Sequence, residues 1–405
     1  MKKPELLAPA GSFNTLKYAF AYGADAVYVG GEEFSLRTAS KNFDRKELEE
    51  AVRYTHNLGK KIYVAVNIFC HNQDIADLKE YAKYLELIGV DGVIVSDIGA
   101  LSIVREVAPK LPIHISTQAN TTNASAVKAW KSLGAVRVVP ARELSLNEII
   151  DIKKNCDIEI ETFIHGAMCI SYSGRCLMSN YFTGRGANQG ACAHPCRWEY
   201  TITEKTRPTE QMPVVETERG TFIFNSKDLC MIEYVPELIK AGIDSFKIEG
   251  RVKNELYVAT VISAYRKAID DYFEKGENYE TDKALLDELS KVSHRGYTTG
   301  FYFGKPDAQS HNFESSEYIR DYGIVGVVKE YDEETGIAKI EQRNRFFDSD
   351  ELEILVPGEN WFTQTAKDMT NENGEKITVA PNAQMTVFMK MAQRVKEFSI
   401  LRKKV

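Results

Sequence analysis

One short pattern occurs four times in the first 250 residues, and it constrains the fold of this chain more than any other feature. A glycine follows a helical pattern and precedes a short apolar segment at Gly23, Gly89, Gly134 and Gly242. Glycine can end a helix in the left-handed conformation without steric cost, so each position is predicted to join a helix to a strand. Four further apolar segments alternate with these junctions: ELLAPAG, KKIYVAVNI, PIHISTQAN and IEIETFIHG. The sequence therefore predicts eight strands separated by helices, centred near residues 7, 28, 64, 94, 115, 138, 162 and 247.

The predicted strands are almost continuously apolar, which is typical of a parallel sheet that helices cover on both faces. Eight such strands over about 270 residues favour an α/β fold of the (β/α)8, TIM-like barrel type. A doubly wound open sheet is the alternative. The even spacing of the four junctions favours the closed barrel.

One connection is much longer than the others. The seventh and eighth predicted strands are separated by about 80 residues, and the extra chain at about 167–230 contains most of the cysteines. Because it follows the C-terminal end of a strand, this insertion is predicted to lie on the face of the barrel that carries active sites. Short alternating strands then replace the helical patterns. The predicted domains are a barrel at 1–314 and a small antiparallel β-barrel at 315–405.

Five of the seven cysteines lie between Cys169 and Cys230, and four form a tight run: Cys169, Cys176, Cys192 and Cys196. The small residues around them let a backbone fold closely around a metal centre, and four thiolates complete the ligand set of an iron–sulfur cluster or a zinc ion. Zinc ribbons usually pair two C-x-x-C motifs, which this run lacks, so a cluster is favoured. Inert buried thiols and disulfides are the alternatives. The odd number of cysteines and the absence of an apolar signal segment in MKKPELLAPAG argue against disulfides.

Polar side chains follow the ends of the predicted strands, where a barrel of this type carries its chemistry. Arg37, Arg142 and Arg251 are predicted to converge on an anion, because a guanidinium group can bind a carboxylate through two hydrogen bonds. Salt bridges along the rim are the alternative for each arginine. The candidate catalytic groups are Glu161, His165 and Glu249. Lys247 and Glu249 share one face of the eighth strand, where they either pair with each other or take part in catalysis.

The composition limits the class of protein. No stretch of eighteen apolar residues occurs, so no membrane span is expected and the predicted compartment is the cytoplasm. A net charge of −7 excludes a globally basic nucleic-acid-binding protein but leaves room for a local basic surface. The G-x-S-x-G and H-E-x-x-H motifs of hydrolases are absent. A thiol peptidase would need a Cys–His pair, such as Cys169 with His165, or Cys192 or Cys196 with His194.

Several segments resemble the collagenase-like peptidase family U32: ELLAPAGSFNTLKYAFAYGADAVYVGG, FSLRTASKNF, EIETFIHGAMCISYSGRCLMSNYFTGRGANQGACAHPCRWEY and NSKDLCMIEYVPELIKAGIDSFKIEGRVK. The resemblance extends over the whole chain, whose length is similar to that of the tRNA hydroxylation branch. It implies a [4Fe-4S] cluster held by Cys169, Cys176, Cys192 and Cys196, with Cys230 as the alternative fourth ligand. It also implies an oxygen-independent, prephenate-dependent enzyme that converts the wobble uridine of tRNA to 5-hydroxyuridine. A collagenase-like peptidase, the historical assignment of the family, is the alternative.

The resemblance implies two partners, prephenate and tRNA, and the sequence has candidate residues to bind each of them. The three rim arginines would bind prephenate, a small dicarboxylate. The wobble base is already single-stranded in the tRNA anticodon loop, so it can enter a site with little loss of stacking. Arg185, Arg197 and Trp198 of the insertion are predicted to bind the RNA through phosphate contacts and base stacking. Packing within the insertion is the alternative for Trp198.

Overall fold

Eight parallel strands form the closed barrel that the sequence predicts. The computed structural model describes residues 2–35, 42–169, 171–198, 216–217, 220–221, 226–306 and 318–405. The barrel strands are β1 (Glu5–Pro9), β2 (Ala26–Gly30), β3 (Lys61–Val66), β4 (Gly92–Val95), β5 (Ile113–Ile115), β6 (Arg137–Val138), β7 (Glu159–Gly166) and β11 (Ser245–Ile248). Each pairs in parallel with the next, and β11 pairs with both β7 and β1. This last pairing closes the sheet and excludes the open doubly wound alternative.

Helices cover the outside of the barrel. In chain order the helices are α1 (Phe13–Ala21), α2 (Arg45–Asn57), α3 (Ile75–Ile88), α4 (Ile98–Val107), α5 (Ala124–Ser132), α6 (Leu146–Asn155), α7 (Met178–Thr183) in the insertion, α8 (Val235–Lys240), α9 (Glu255–Lys275) and α10 (Lys283–Ser290). The four junction glycines all have positive φ, as predicted. Helix starts are also encoded locally: in α6 the Ser145 hydroxyl accepts from the Glu148 amide while the Glu148 carboxylate accepts from the Ser145 amide. Among the described helices, none has the length and apolar character needed to cross a membrane.

Apolar side chains form two layers around the strands. Successive residues of a strand point to opposite faces, so Leu6 of β1 belongs to the large core between strands and helices, whereas Leu7 belongs to a smaller cluster inside the barrel. Tyr28, Tyr63 and Ile94 are further members of that inner cluster. Apolar side chains of β1, β2, β3 and β4 therefore pack together inside the barrel.

The insertion begins and ends beside the C-terminal end of β7. Its described parts contain α7, the short antiparallel pair β8 (Glu216–Thr217) and β9 (Gly220–Thr221), and β10 (Asp228–Cys230). Strand β10 pairs antiparallel with the end of β7, and β12 (Tyr297–Thr298) pairs with β10. This pairing places the insertion on the predicted face of the barrel.

A second domain follows the barrel. Its strands are β13 (Tyr322–Asp332), β14 (Ile337–Gln342), β15 (Phe346–Phe347), β16 (Glu351–Leu355), β17 (Phe362–Thr365), β18 (Val379–Ala380), β19 (Thr386–Lys390) and β20 (Ile400–Lys404). Six of them form an antiparallel sheet in the order β17–β16–β20–β13–β14–β19. The sheet curls until the Gln364 side chain of one edge strand donates to the Lys390 carbonyl of the other, so the small antiparallel β-domain is confirmed. The predicted boundary between residues 314 and 315 falls within 307–317, outside the described residues.

Buried contacts join the two domains. Arg402 of β20 has no exposed surface, and its guanidinium group pairs with Glu288 of α10 at 2.6 Å and with Glu353 of β16 at 2.7 Å. The Tyr22 hydroxyl at the end of α1 donates to the Leu355 carbonyl at 2.9 Å. The second domain is therefore packed against the helices of the barrel.

Candidate active site at the rim of the barrel

A cavity of about 780 Å³ opens at the C-terminal ends of the barrel strands. Residues from the loops after β1, β3, β5, β6, β7 and β11 line it, together with insertion residues between Ser171 and Arg197. This volume is within the range typical of cavities that bind small molecules. The cavity lies on the face where the sequence placed the active site.

The cavity is basic although the chain as a whole is acidic. Its cationic lining residues are Arg142, Arg185, Arg197, Lys247, Arg251 and Lys253. Among the described residues, the carboxylates that line it are Glu143 and Glu249. The net charge of the whole chain is −7, whereas six cationic side chains and two carboxylates line the cavity. A concave surface of this kind attracts anionic ligands.

The four cysteines of the run, Cys169, Cys176, Cys192 and Cys196, line this cavity together. Burial raises the pKa of Cys169, and Cys176 and Cys192 contribute in the same direction. Burial also raises the pKa of Cys196 to about 11, with further contributions from the other three thiols. The four side chains are thus close enough to interact electrostatically.

The arrangement of the thiols differs from a site for a single metal ion. In the described part of the chain, no three His, Cys, Asp or Glu side chains are grouped so that they could hold one ion. Thiolates around one zinc ion are about 3.8 Å apart, because each Zn–S bond is about 2.3 Å long. In a four-iron cluster each thiolate binds a different iron atom, so the sulfur atoms are farther apart. The four cysteines that line the cavity supply the number of thiols that a four-iron cluster needs, one for each iron atom.

Cys230, the alternative fourth ligand, lies apart from the run. It is buried on β10 opposite His165 of β7, and its Sγ atom lies 3.9 Å from the Tyr265 hydroxyl. Burial raises the pKa of this thiol to about 11. Cys230 does not line the cavity, whereas Cys196 does. The geometry therefore groups Cys196, and not Cys230, with the other three thiols of the run.

Two of the three predicted arginines reach the cavity. The Arg142 guanidinium group lies over the Phe163 ring, with 3.7 Å between its central carbon and the ring centroid. Arg251 is 7% exposed, and a Cβ atom placed on Gly30 would lie 1.9 Å from its Nη1 atom. The absence of a side chain at Gly30 therefore makes room for the Arg251 guanidinium group. Arg37 lies outside the described residues.

Glu249 is the candidate catalytic group that faces the cavity. Its Oε2 atom accepts a hydrogen bond from the Tyr28 hydroxyl at 3.4 Å and lies 3.9 Å from Arg142 Nη2. Lys247 lines the cavity as well, so the shared face predicted for Lys247 and Glu249 is confirmed. The Lys247 ammonium group pairs with Glu161 at 2.6 Å, and this contact with the barrel interior orients the lysine side chain.

Glu161 lies inside the barrel and has no exposed surface, so the structure does not bring this predicted catalytic residue to the cavity. Its carboxylate lies 2.6 Å from Lys247 Nζ and 3.1 Å from Arg137 Nη1, and Arg137 also pairs with Glu5 and Glu159. Burial acts to raise the pKa of Glu161, but Lys247 and Arg137 outweigh it and lower the pKa to about 2. The carboxylate is therefore an ionic cross-link of the barrel interior.

A β-bulge keeps His165 out of the cavity. Glu161 and Phe163 face the barrel interior, and simple alternation predicts the same for His165. The register of β7 against β11 shifts between Phe163 and His165. The ring consequently packs against Tyr257 and Tyr265 of α9, with centroids 6.0 and 5.6 Å apart. Burial lowers the pKa of His165 to about 3, so the ring is neutral at pH 7, and it does not line the cavity.

The residues predicted to bind RNA lie at the mouth of the cavity. Arg185 and Arg197 line it, and the adjacent Trp198 is 43% exposed. Further exposed aromatic side chains of the insertion are Tyr172, Tyr181 and Phe182. Exposed aromatic and basic side chains beside a cavity are typical of surfaces that bind single-stranded nucleic acid.

Two cationic lining residues, Lys247 and Lys253, were not predicted as ligand-binding groups. Both lie within four residues of Arg251. Their position next to Arg251, at the end of the eighth strand, is the sequence feature from which they could have been predicted.

Comparison with known proteins agrees with the motifs. The model of Peptidase family U32 matches residues 11–312, and the model of the Peptidase family U32 C-terminal domain matches residues 320–402. The chain belongs to peptidase family U32. The resemblance recognised in the sequence is thereby confirmed.

Proteins named for RNA hydroxylation are similar to nearly the whole chain. "tRNA hydroxylation protein P1" of Bacillus subtilis (strain 168) is 43% identical over 402 residues, covering 99% of this chain and 95% of that protein. "tRNA hydroxylation protein P" of Escherichia coli (strain K12) is 39% identical over 439 residues, covering 97% and 95%. The "23S rRNA 5-hydroxycytidine C2501 synthase" of Escherichia coli (strain K12) is 32% identical over 380 residues, covering 92% of this chain and 56% of that protein.

Proposed function

We propose that this chain is an RNA-modifying enzyme that hydroxylates the wobble uridine of tRNA to 5-hydroxyuridine. The observation that carries the proposal is the basic cavity, which four thiols and four arginines line beside exposed aromatic side chains of the insertion. Similarity of almost the whole chain to proteins named for tRNA hydroxylation, and to one named for ribosomal RNA hydroxylation, supports it.

In this proposal Cys169, Cys176, Cys192 and Cys196 hold a [4Fe-4S] cluster. Their shared position around one cavity supports this assignment, and it favours Cys196 over Cys230 as the fourth ligand. Thiols must lose their protons to bind iron, so the raised pKa values of Cys169 and Cys196 predict weaker binding of the cluster at low pH. When bound, such a cluster would exchange single electrons.

Arg142 and Arg251 bind a small dicarboxylate, for which prephenate is the proposed co-substrate, and Arg37 is the third candidate. Both described guanidinium groups line the same cavity and are held by their neighbours, so little side-chain entropy is lost on binding. Prephenate should therefore raise the melting temperature of the wild-type protein by binding the folded state.

The Arg142→Ala and Arg251→Ala variants should each lose most of this shift, because a charge-assisted contact contributes about 1.5–3 kcal/mol. Arg394→Ala is the control, since Arg394 is exposed on the second domain and pairs with Glu333 there. A full shift in both rim variants would contradict the assignment.

Two features argue against a thiol peptidase. A catalytic thiol needs a lowered pKa, whereas burial raises the pKa values of Cys169 and Cys196. His165 does not line the cavity that contains Cys169, so the structure does not form the first candidate pair. His194 lines the cavity with Cys192 and Cys196 and is the histidine that a peptidase would have to use.

The nucleoside composition of tRNA distinguishes the two functions. Total tRNA from a strain that lacks the gene is digested and analysed by mass spectrometry for 5-hydroxyuridine and its derivatives. Growth without oxygen removes any oxygen-dependent enzyme that makes the same nucleoside. The proposal predicts loss of these nucleosides and their return when the gene is restored. Unchanged tRNA, together with gelatin cleavage by the iron-free protein, would establish the peptidase instead.

A further inference from the structure

Four parts of the chain meet at one edge of the cavity, and three of them supply cations around the ring of Tyr318. Lys253, in the loop after β11, has its Nζ atom 4.0 Å from the ring centroid. The guanidinium carbons of Arg295, just before β12, and of Arg320, just before β13, lie 5.1 and 5.9 Å from the same centroid. Arg197 of the insertion lies close enough to Lys253 to affect its pKa. These residues, Arg197, Lys253, Arg295, Arg320 and Tyr318, are the Tyr318 cluster.

The cationic side chains of the Tyr318 cluster outnumber the carboxylates that lie next to them. Asp228 is the carboxylate that acts on Lys253, and its Oδ1 atom already pairs with Arg295 at 2.5 Å. Within the described residues, no carboxylate forms an ion pair with Arg197, Lys253 or Arg320. Three cationic groups therefore remain without a charge partner in that part of the chain.

Hydrogen bonds to Ser293 hold the Lys253 ammonium group in position and leave one of its N–H groups for a ligand. Its ammonium group donates to the carbonyl and to the hydroxyl of Ser293 at 3.0 and 2.8 Å, which uses two of its three N–H groups. The face of the Tyr318 ring attracts the cations around it and offsets part of their mutual repulsion. Burial lowers the pKa of Lys253 to about 8; Asp228 opposes this shift and the three arginines add to it. A bound anion would relieve that repulsion.

We propose that the Tyr318 cluster binds the RNA backbone phosphates next to the nucleotide that enters the cavity. The inference rests on the proposed function and adds how the strand is held. Lys253 and Arg197 line the cavity, whereas Arg320 belongs to the exposed start of the second domain. The strand therefore runs from the insertion across the cavity mouth to the second domain, and this gives the second domain a direct part in substrate binding.

Salt-dependent binding of unmodified tRNA tests the proposal. The probe is total tRNA from the deletion strain, with the dissociation constant measured by fluorescence anisotropy at several salt concentrations. Arg320→Gln is the first variant because the side chain is exposed, and Lys253→Gln is the second. Each should weaken binding about tenfold at low salt and reduce the slope of log K against log salt by about 0.7–0.9, the value for one phosphate contact.

The controls distinguish an effect of the lost charge from an effect of lost folding. Arg320→Lys should keep the wild-type slope, and so should Arg394→Gln, which removes an exposed charge elsewhere on the second domain. Thermal melting of each variant checks folding, and if Lys253→Gln is destabilised the exposed Arg320→Gln decides alone.

The outcomes distinguish this inference from the proposed function. Wild-type slopes in Arg320→Gln and Lys253→Gln would overturn the inference, while loss of 5-hydroxyuridine in the deletion strain would still support hydroxylation. Reduced slopes with unchanged tRNA modification in that strain would support a phosphate-binding surface and overturn the proposed function. Failure of the wild-type protein to bind tRNA would overturn the inference. Binding of an acidic protein, and not of tRNA, to the Tyr318 cluster would also overturn it.

Discussion

Replacement of Glu161 by Gln should destabilise the barrel strongly, although the side chain keeps its shape. Glu161 has no exposed surface, and the substitution removes its negative charge from the barrel interior. Lys247 Nζ at 2.6 Å and Arg137 Nη1 at 3.1 Å would each lose a charged partner. If Glu161 is a structural cross-link, the effect appears in the free energy of unfolding.

The size of the loss in unfolding free energy depends on which contacts Arg137 and Lys247 keep. Arg137 keeps Glu5 at 2.6 Å and Glu159 at 2.7 Å, so its charge stays compensated. The Lys247 side chain, 5% exposed, keeps the aromatic faces of Tyr28 and Phe163, with centroids 4.4 and 5.5 Å from Nζ. Removal of one member of a buried pair costs about 3–5 kcal/mol. We expect about 3 kcal/mol, since one of the two partners remains paired.

Urea unfolding at pH 7 measures this loss. Glu159→Gln is the matched control on the same strand: its side chain is 41% exposed, and its buried partner Arg137 keeps Glu5 and Glu161, so the loss should be no more than about 1 kcal/mol. The double variant Glu161→Gln/Lys247→Met should recover most of the loss, because both buried charges are then removed. A loss below about 1 kcal/mol in Glu161→Gln would refute the reasoning.

The remaining predictions concern the metal ligands, the buried histidines and the domain interface. Anaerobically purified Cys196→Ala should lack iron, whereas Cys230→Ala should retain it; iron loss with Cys230→Ala alone would contradict the assignment. Burial lowers the pKa values of His114 and His165 from 6.5 to about 3, so the unfolded state binds more protons below pH 6.5. Stability should therefore fall as the pH decreases from 6.5 towards 3, by up to about 1.4 kcal/mol per pH unit for each histidine; urea unfolding that does not change between pH 7 and 5 would exclude this. Arg402→Met removes the buried cation that Glu288 and Glu353 share, so that Lys291 alone pairs with both carboxylates, and it should split the thermal transition in calorimetry into two, whereas a single unshifted transition would contradict the interface.

The fold was predictable because its signals are local. The left-handed glycines at Gly23, Gly89, Gly134 and Gly242 and the apolar strands each depend on a few neighbouring residues, and a parallel strand–helix alternation has few ways to close. The second domain was predictable for the same reason, since alternating strands and turn residues mark it directly.

The site was predictable where it depends on strand ends, and not where it depends on strand detail or distant contacts. Cys169 and Arg142 follow strand ends, so their place at the cavity could be inferred. Glu161 is too far from the end of its strand, and the bulge before His165 reverses the expected alternation without a sign in the apolar pattern. The contact of Lys253 with Tyr318 joins segments far apart in the chain, which no spacing encodes.

The central claim is that RNA hydroxylation takes place at the cavity that the four thiols line. The most direct measurement is the 5-hydroxyuridine content of total tRNA from the deletion strain, grown without oxygen and supplied with wild type, Cys176→Ser or Cys156→Ala at matched protein levels. Cys156 is buried outside the cavity and is the control thiol. The account predicts 5-hydroxyuridine with wild type and Cys156→Ala and none with Cys176→Ser. Full modification by Cys176→Ser would contradict it.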